Sequence, residues 1–309
     1  APSQRGRVQE VIVPAGASVT AVAETLEARG IVASADLFRF YARISGRARA
    51  IQAGSYRLTP GLSSRETIEQ LLKGRPAERL LVVPEGLMLT ELAGLVEDRL
   101  AIPRDSFLAA ASDSALLARL GITAPTLEGY LYPSTYSVPV GATARAVVRL
   151  MIAEFDAAWR TEWDGRLDSL GMTRHQIVTL ASIIEGEVRR DSDRRYVSSV
   201  YHNRLRQGMK LQADPTVIYA IGRRRRLFER DYLVSSPYNT YLIDGLPPGP
   251  IGQPSRASIE AALYPERTDF LFLVARPDGQ HVFSRTLAEH RRAVREIRRL
   301  GGPQGTRTR

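Results

Sequence analysis

Apolar and polar positions repeat early in the chain. Val11-Ile-Val-Pro-Ala-Gly16 is echoed by Leu81-Val-Val-Pro-Glu-Gly86, and Thr20 and Ala23 are echoed by Thr90 and Ala93. Phe38 and Phe107 follow in nearly the same register. Each copy predicts a short strand closed by Pro and Gly, then a helix, then a second short helix opening near Asp36 or Asp105. Between the copies, Gly54-Ser-Tyr-Arg-Leu58 predicts a return strand. Ser63 and Glu66 spell a capping box for a helix that stops at Gly74.

From Thr126 onward the pattern changes, and Tyr, Pro and Asn gather in clusters that interrupt the periodic runs. Tyr130-Leu-Tyr-Pro-Ser-Thr-Tyr136 is too broken by Pro for a helix and is expected to be either part of a site or an aromatic corner. Thr173 with Gln176 predicts another capped helix, along which Ile177, Leu180, Ala181, Ile184 and Val188 form one apolar stripe. At ~100° per residue Glu185 lies at the edge of that stripe and Glu187 points about 200° away, so one carboxylate and not both is expected in the groove. Tyr196 to Leu205 predicts a further helix, ended by Gly208, with Arg204 on its apolar side in need of a carboxylate or carbonyl partner. Asn203 on the same helix offers an amide suited to sugar hydroxyls. Asp214-Pro215 reads as an N-cap with Pro at the first position of a helix stopping at Gly222. Ser236-Pro-Tyr-Asn-Thr-Tyr241 and Asp244-Gly-Leu-Pro-Pro-Gly-Pro-Ile251 predict a stiff loop presenting Tyr238, Asn239 and Tyr241. Phe270 to Ala275 and His281 to Ser284 flank Pro277-Asp-Gly279 as a hairpin.

Composition narrows the chemistry. The 309 residues are 44% hydrophobic, enough for a sizeable core and two domains, and the absence of Cys excludes disulfides and a thiol nucleophile. The formal charge of +10 calls for an anionic partner such as a lipid surface, a wall polymer or nucleic acid. Arg223 to Arg226 and Arg291 to Arg299 carry much of it and are read as solvated basic faces, with contact to lipid head groups or wall phosphates as the sharper alternative. Nucleic acid is not the expected partner, because the aromatics cluster with Pro and Asn and no nucleic-acid-binding signature is present. A carboxyl group held against apolar surface keeps its proton more readily, so Glu185 has the placement that a general acid requires.

The order strand, helix, helix, strand in the first half resembles a LysM module, a type that binds N-acetylglucosamine-rich polymers. Scaffolding is the plainer role for such a module. The second half resembles the YceG-like family of endolytic murein transglycosylases. The motifs that carry the resemblance are Leu127-Glu-Gly129 with the Tyr-Pro stretch after it, Ala181-Ser-Ile-Ile-Glu-Gly-Glu187, Asn203-Arg-Leu205 and Leu211-Gln-Ala-Asp-Pro-Thr-Val-Ile-Tyr219. Tyr238-Asn-Thr-Tyr241, Gly245-Leu-Pro-Pro-Gly-Pro-Ile251 and the hairpin from Gly279 to Phe283 with Glu289-His290 continue it. They span nearly all of 126 to 292 in order. Gly252-Gln-Pro-Ser255 departs from the family pattern, which more often has Asn or Thr before Pro and Gly after it.

The resemblance implies an α+β chain made of a residual linker at 1–7 from an upstream membrane anchor and a LysM-like region at 8–122 with copies at 8–75 and 79–122. A catalytic domain at 123–298 and a basic tail at 299–309 complete it. It implies Glu185 as the catalytic residue, acting as acid and then as base, with no metal or cofactor. The expected substrate contacts are Glu128, Tyr132, Glu187, Asn203, Arg204, Gln212, Asp214, Thr216, Tyr219, Tyr238, Asn239, Thr240 and Tyr241. Implied partners are peptidoglycan glycan strands, peptidoglycan synthases, and the inner membrane through a single-pass helix, with this chain on the periplasmic face. A muramidase using Glu185 with Glu187, Asp191 or Asp214 is the competing enzyme reading.

Overall fold

The computed structural model describes residues 7–14, 16–73 and 78–299. The linker expected at 1–7, apart from residue 7, the helix stop at Gly74, and the tail beyond Arg299 lie outside the described residues. The architecture is mixed α+β, with small two-stranded sheets among many helices. Contacts divide the chain into two compact units. One comprises Ala1–Val82, Gly94–Phe107 and Thr135–Arg149, the other Val83–Ala93, Leu108–Ser134 and Leu150–Arg309.

In the first unit the expected order appears. β1 (Gln9–Val13) leads to α1 (Val19–Ala28) and α2 (Ala35–Ile44), then β2 (Gly54–Leu58) and α3 (Ser64–Lys73). β1 and β2 pair antiparallel, with Val11 opposite Tyr56. Val11, Val13, Leu26, Phe38, Tyr56, Leu58 and Ile68 close a single core. Ser63 and Glu66 form the reciprocal cap, each side chain accepting the other's backbone N–H.

The second copy runs further than its sequence echo. β3 (Glu78–Val82), α4 (Leu89–Leu100), α5 (Arg104–Ala111) and α6 (Ser114–Arg119) are followed by β4 (Thr135–Pro139), and β4 pairs antiparallel with β3. The return strand of this copy therefore comes from the end of the Tyr-Pro stretch, where Tyr136 and Val138 alternate inward and the two Pro residues sit outside the ladder interior. α7 (Ala144–Ala158) follows, as α3 follows β2.

The second unit is built around α9 (Arg174–Glu187), which the expected capping box opens. It is not the amphipathic surface helix that its stripe suggests: every residue from Ile177 to Ile184 is buried. The helices packed on it are α8 (Glu162–Leu170), α10 (Arg194–Arg206), α11 (Asp214–Ile221) and α12 (Arg256–Leu263). Gly186 lets α11 approach, because a Cβ there would lie 2.7 Å from the Pro215 side chain. The hairpin β5 (Phe272–Ala275) and β6 (His281–Ser284) turns at Gly279, whose φ is +84°, and α13 (Leu287–Arg299) packs Val294 and Ile297 against Val274.

Candidate active site

Glu185 stands on the last turn of α9, where the helix leaves the core, and its side chain is about 10% exposed. Its surroundings differ from the apolar surface expected. Oε2 accepts from the Ser255 backbone N–H at 2.9 Å, from the Ser255 hydroxyl, and from Nη1 of Arg194 at 3.2 Å. Oε1 takes no hydrogen bond among the described residues. One carboxylate oxygen is thus clamped by three donors while the other stays open. The clamp has its own support: Ser255 is the N-cap of α12 and its hydroxyl accepts the Ser258 N–H, while Arg194 also reaches the Ser258 hydroxyl and Asp191, the latter at 2.7 Å.

Backbone from the Pro84-Glu85-Gly86 turn faces the same carboxylate. A Cβ on Gly86 would lie 3.5 Å from Cγ of Glu185, so glycine leaves this side of the acid uncrowded. Glu85 is held above the ordinary carboxylate range by burial first, then by the charges of Glu185 and Asp191, with Arg194 opposing. Its sequence signal was only the echoed Val-Pro-Glu-Gly. Tyr132 lies close enough to feel the charges of Arg256, Glu154 and Glu85, and its half-buried ring meets Phe155 edge-on.

Beneath this surface the segment 252–255 acts as a buried tie. The Gln253 amide N–H donates to Glu128 at 2.6 Å, its side-chain oxygen accepts from Leu131 N–H at 3.1 Å, and its backbone bonds Gly86 and Leu87. Glu128, 4% exposed, accepts the Leu89 N–H on both oxygens. Burial pushes it up to about 8, against the pull of that N–H and of the Tyr219 hydroxyl. Glu128 is therefore an internal brace, and its tie to Gln253 makes the departure from the family pattern part of the scaffold that sets Ser255. Ser255, Arg194, Gln253 and Glu85 are site residues that sequence reasoning missed. No periodicity marks them, because they are brought to Glu185 by packing of separate elements.

The other expected contacts do not gather at Glu185. Asn203 is buried, with its amide donating to the carbonyls of Thr268 and Phe270 at 2.8 Å each, which engages the group expected to meet a sugar. Arg204 finds the carbonyl partners it needed, donating from Nε to Leu271 at 2.6 Å and from Nη1 to Leu211 at 2.8 Å. Asn239 is not presented on the loop but buried, bracing the carbonyls of Tyr232 and Val234. Thr216 and Thr240 are buried and share a hydroxyl bond of 2.8 Å. The rings of Tyr219 and Tyr238 meet at a tilt, centroids 4.7 Å apart, beside Glu128. Asp214 is not the N-cap of α11, a position held by Ala213, and Pro215 is the second helical residue. The Ala213 N–H is taken by the Thr240 hydroxyl, and the Asp214 carboxylate is drawn instead to the hydroxyls of Tyr241 at 2.6 Å and Tyr232 at 3.3 Å. Glu187, Arg204, Gln212, Asp214 and Tyr241 do come together, but around a separate cavity of about 270 Å³. Nor is the Arg223 to Arg226 run simply solvated. Arg224 pairs with Glu91 at 2.7 Å and reaches the Gly86 carbonyl, and Arg225 pairs with Asp231 at 2.6 Å.

Comparison with known proteins agrees with the motifs. The YceG-like family pattern matches residues 11–296. An endolytic murein transglycosylase of Bacillus subtilis is 34% identical over 298 residues, covering 91% of this chain and 82% of that protein. One of Streptococcus pneumoniae is 29% identical over 317 residues, and there the match covers 92% of this chain but 57% of the relative. A crystal structure of a yceG-like protein from Listeria monocytogenes superposes with a TM-score of 0.65 at 33% identity, covering 93% of this chain and 99% of that one.

Proposed function

The chain belongs to the YceG-like family, and on that premise we propose that it is an endolytic lytic transglycosylase, a lyase that cuts peptidoglycan glycan strands. The bond cut is the β-1,4 link from N-acetylmuramic acid to N-acetylglucosamine. The observation that carries the reading is the one-sided clamp on Glu185, three donors on Oε2 with Oε1 open.

In this reading Oε1 delivers a proton to the glycosidic oxygen as the bond to muramoyl C1 breaks. The carboxylate so formed then takes the proton from the muramoyl C6 hydroxyl, whose oxygen closes on C1. The products are a free N-acetylglucosamine hydroxyl and a 1,6-anhydro end, and no water is consumed. One carboxyl group serves both transfers because the substrate supplies its own nucleophile. The clamp keeps the side chain in one rotamer through both, with Arg194 and Ser255 balancing the charge that appears on Oε2 after protonation of the leaving group.

The same proposal carries the expected organisation, a LysM-like region at 8–122 ahead of a catalytic part at 123–298, and action at the outer face of the inner membrane with single-pass anchoring. It also carries coupling to peptidoglycan synthases and the ending of strand growth. No helix among the described residues is long and apolar enough to cross a membrane. The proximity of Glu85 favours one rival, hydrolysis with Glu85 activating a water.

Mass spectrometry of purified glycan strands after digestion decides between them. Anhydro ends, lighter by one water than hydrated ones, are expected from the wild type, and Glu185→Gln is expected to lower the rate by about 10³-fold. Fully hydrated reducing ends would overturn the lyase assignment, and an undiminished Glu185→Gln would remove Glu185 from the chemistry.

A further inference from the structure

The cavity of about 270 Å³ on the other side of the α9 terminus from Glu185 is lined by Glu187, Asp214, Arg204, Gln212 and His290, together with the rings of Tyr201, Tyr232, Tyr241 and Phe272. Its polar groups are unevenly satisfied. Asp214 accepts two tyrosine hydroxyls and Arg204 donates to backbone carbonyls. The Glu187 carboxylate takes no hydrogen bond or ion pair among the described residues. Neither does the hydroxyl of Tyr201, a residue only 2% exposed, nor either ring nitrogen of His290, 9% exposed, whose Nδ1 is fully buried. The buried, unpartnered His290 Nδ1 and, beside it, a half-buried carboxylate that takes no donor mark a place where a donor-bearing group belongs.

Two carboxyl groups face one guanidinium, so the lining turns negative once both carboxyls have lost their protons, and four aromatic rings surround it. That combination suits a cation that is apolar along its stem, since ring faces attract ammonium groups and carboxylates accept their protons. The volume falls below the ~300 Å³ at which pockets begin to hold a drug-sized ligand, and so fits one small amine or one long side chain. Leu233 and Leu242, both exposed, lie at its rim and would flank an aliphatic chain.

We propose that this cavity is a second binding site, distinct from the Glu185 carboxylate, for a primary alkylammonium group, with Glu187 as its counter-ion and the rings of Tyr201, Tyr232 and Tyr241 around it. Two sources share that chemistry: the side-chain amine of a diamino acid in the peptides of the wall polymer, and a free aliphatic polyamine. The first rests on the proposed function and the second does not.

The electrostatics of the lining support the geometry. Burial first, then the charge of Asp214, pushes Glu187 up to about 8, with Arg204 opposing. Asp214 is also raised, by burial against its two tyrosine bonds, and burial and the charge of Arg204 hold His290 below its ordinary range. With Arg204 and Tyr201 facing Glu187 from α10, Asp214 from α11, Tyr232 and Tyr241 from the loop and His290 from α13, Glu187 must lose its proton to pair with an ammonium. Binding therefore tightens as pH rises towards about 8 and fades only where the amine itself deprotonates, near ~10.4.

The test is calorimetry on the whole chain at pH 8.5 with Nα-acetyl-lysine methylamide, cadaverine and, as a neutral control, Nα-acetyl-norleucine methylamide. Saturable binding of both amines is expected, at least tenfold tighter than the control and at least tenfold weaker at pH 6. Glu187→Gln should lose the preference and Glu185→Gln should keep it. The wild-type comparison of amine with control needs no variant, so a folding defect in Glu187→Gln leaves the result intact. Cleavage kinetics separate the sources. If Glu187→Gln raises KM several-fold on strands that keep their peptides and leaves peptide-free strands unchanged, the wall peptide is the ligand. Equal KM on both, with amine binding intact in the wild type, assigns the site to free polyamines. No saturable amine binding, or equal binding of amine and control, overturns the proposal, while anhydro products from peptide-free strands would leave the enzyme assignment standing.

Discussion

At the residue scale, the site depends on how few atoms hold Glu185. The Arg194 pair is nearly buried on both sides, at 11% and 10% side-chain exposure, so removing the guanidinium leaves a carboxylate without its counter-charge. Arg194→Gln is expected to lower stability by about 3 kcal/mol, read in urea denaturation, and to lower kcat with little change in KM, because Arg194 acts through Glu185 and not on the glycan. Ser255 has two roles in one hydroxyl, capping α12 and donating to Glu185. Ser255→Ala should cost about 1 kcal/mol for the cap and about tenfold in kcat for the lost bond to a charged group. A variant that loses stability alone would reduce Ser255 to a cap. The place of Glu185 near the end of the helix that Thr173 caps was legible, and its role as the acid rests on the motif around it and remains our proposal. Its neighbours were not legible, since Arg194, Ser255 and Glu85 come from three other segments and carry no spacing that relates them to it.

Among elements, glycine sets how closely the helices approach α9. Gly186→Ala would place a Cβ 2.7 Å from Pro215 and push α11 outward, an overpacking expected to cost about 1–3 kcal/mol. Gly129→Ala combines a clash at 2.4 Å with Pro250 and a φ of +84°, and should be the more damaging of the two. Thermal unfolding of both against Gly165→Ala, where nothing lies within 4 Å, checks the order, and equal losses at all three positions would reject it. Element type was largely readable. The helix caps at Ser63 and Thr173, the stop at Gly222 and the turn at Gly279 all follow from local chemistry that needs no partner. β4 was not readable, because a strand of five residues between prolines becomes one only when β3 offers its edge. The full burial of α9 was hidden for a related reason: Val178, Thr179, Ser182 and Ile183 do not violate an amphipathic pattern strongly enough to announce helices on every side.

For the whole molecule, two acids, the buried Glu128 and the half-buried Glu187, tie stability to pH. Glu128 and Glu187 are each raised to about 8 in the folded chain, against an ordinary value of 4.5. The folded state therefore holds protons that the unfolded state releases, so this stabilisation is complete below about 4.5 and is lost as pH rises through about 8. Urea midpoints should fall across that window, and the slope should flatten in Glu128→Gln and in Glu187→Gln. A rising or level profile in the wild type would show that these carboxyls are ionised in the native chain. What the sequence alone determined is local and periodic: the strand and helix order of the first module, the caps and turns, the α9 carboxylate, and the family motifs. What only the tertiary structure decided is company. It placed Gln253 between Glu128 and the backbone of Gly86, put Asn203 and Asn239 inside instead of on a groove, and gathered Glu187, Asp214 and three tyrosines around a cavity. The reason is that a hydrogen-bond partner or a burial cost is fixed by distance in space, and residues as far apart in sequence as Glu128 and Gln253 leave no periodic trace of meeting.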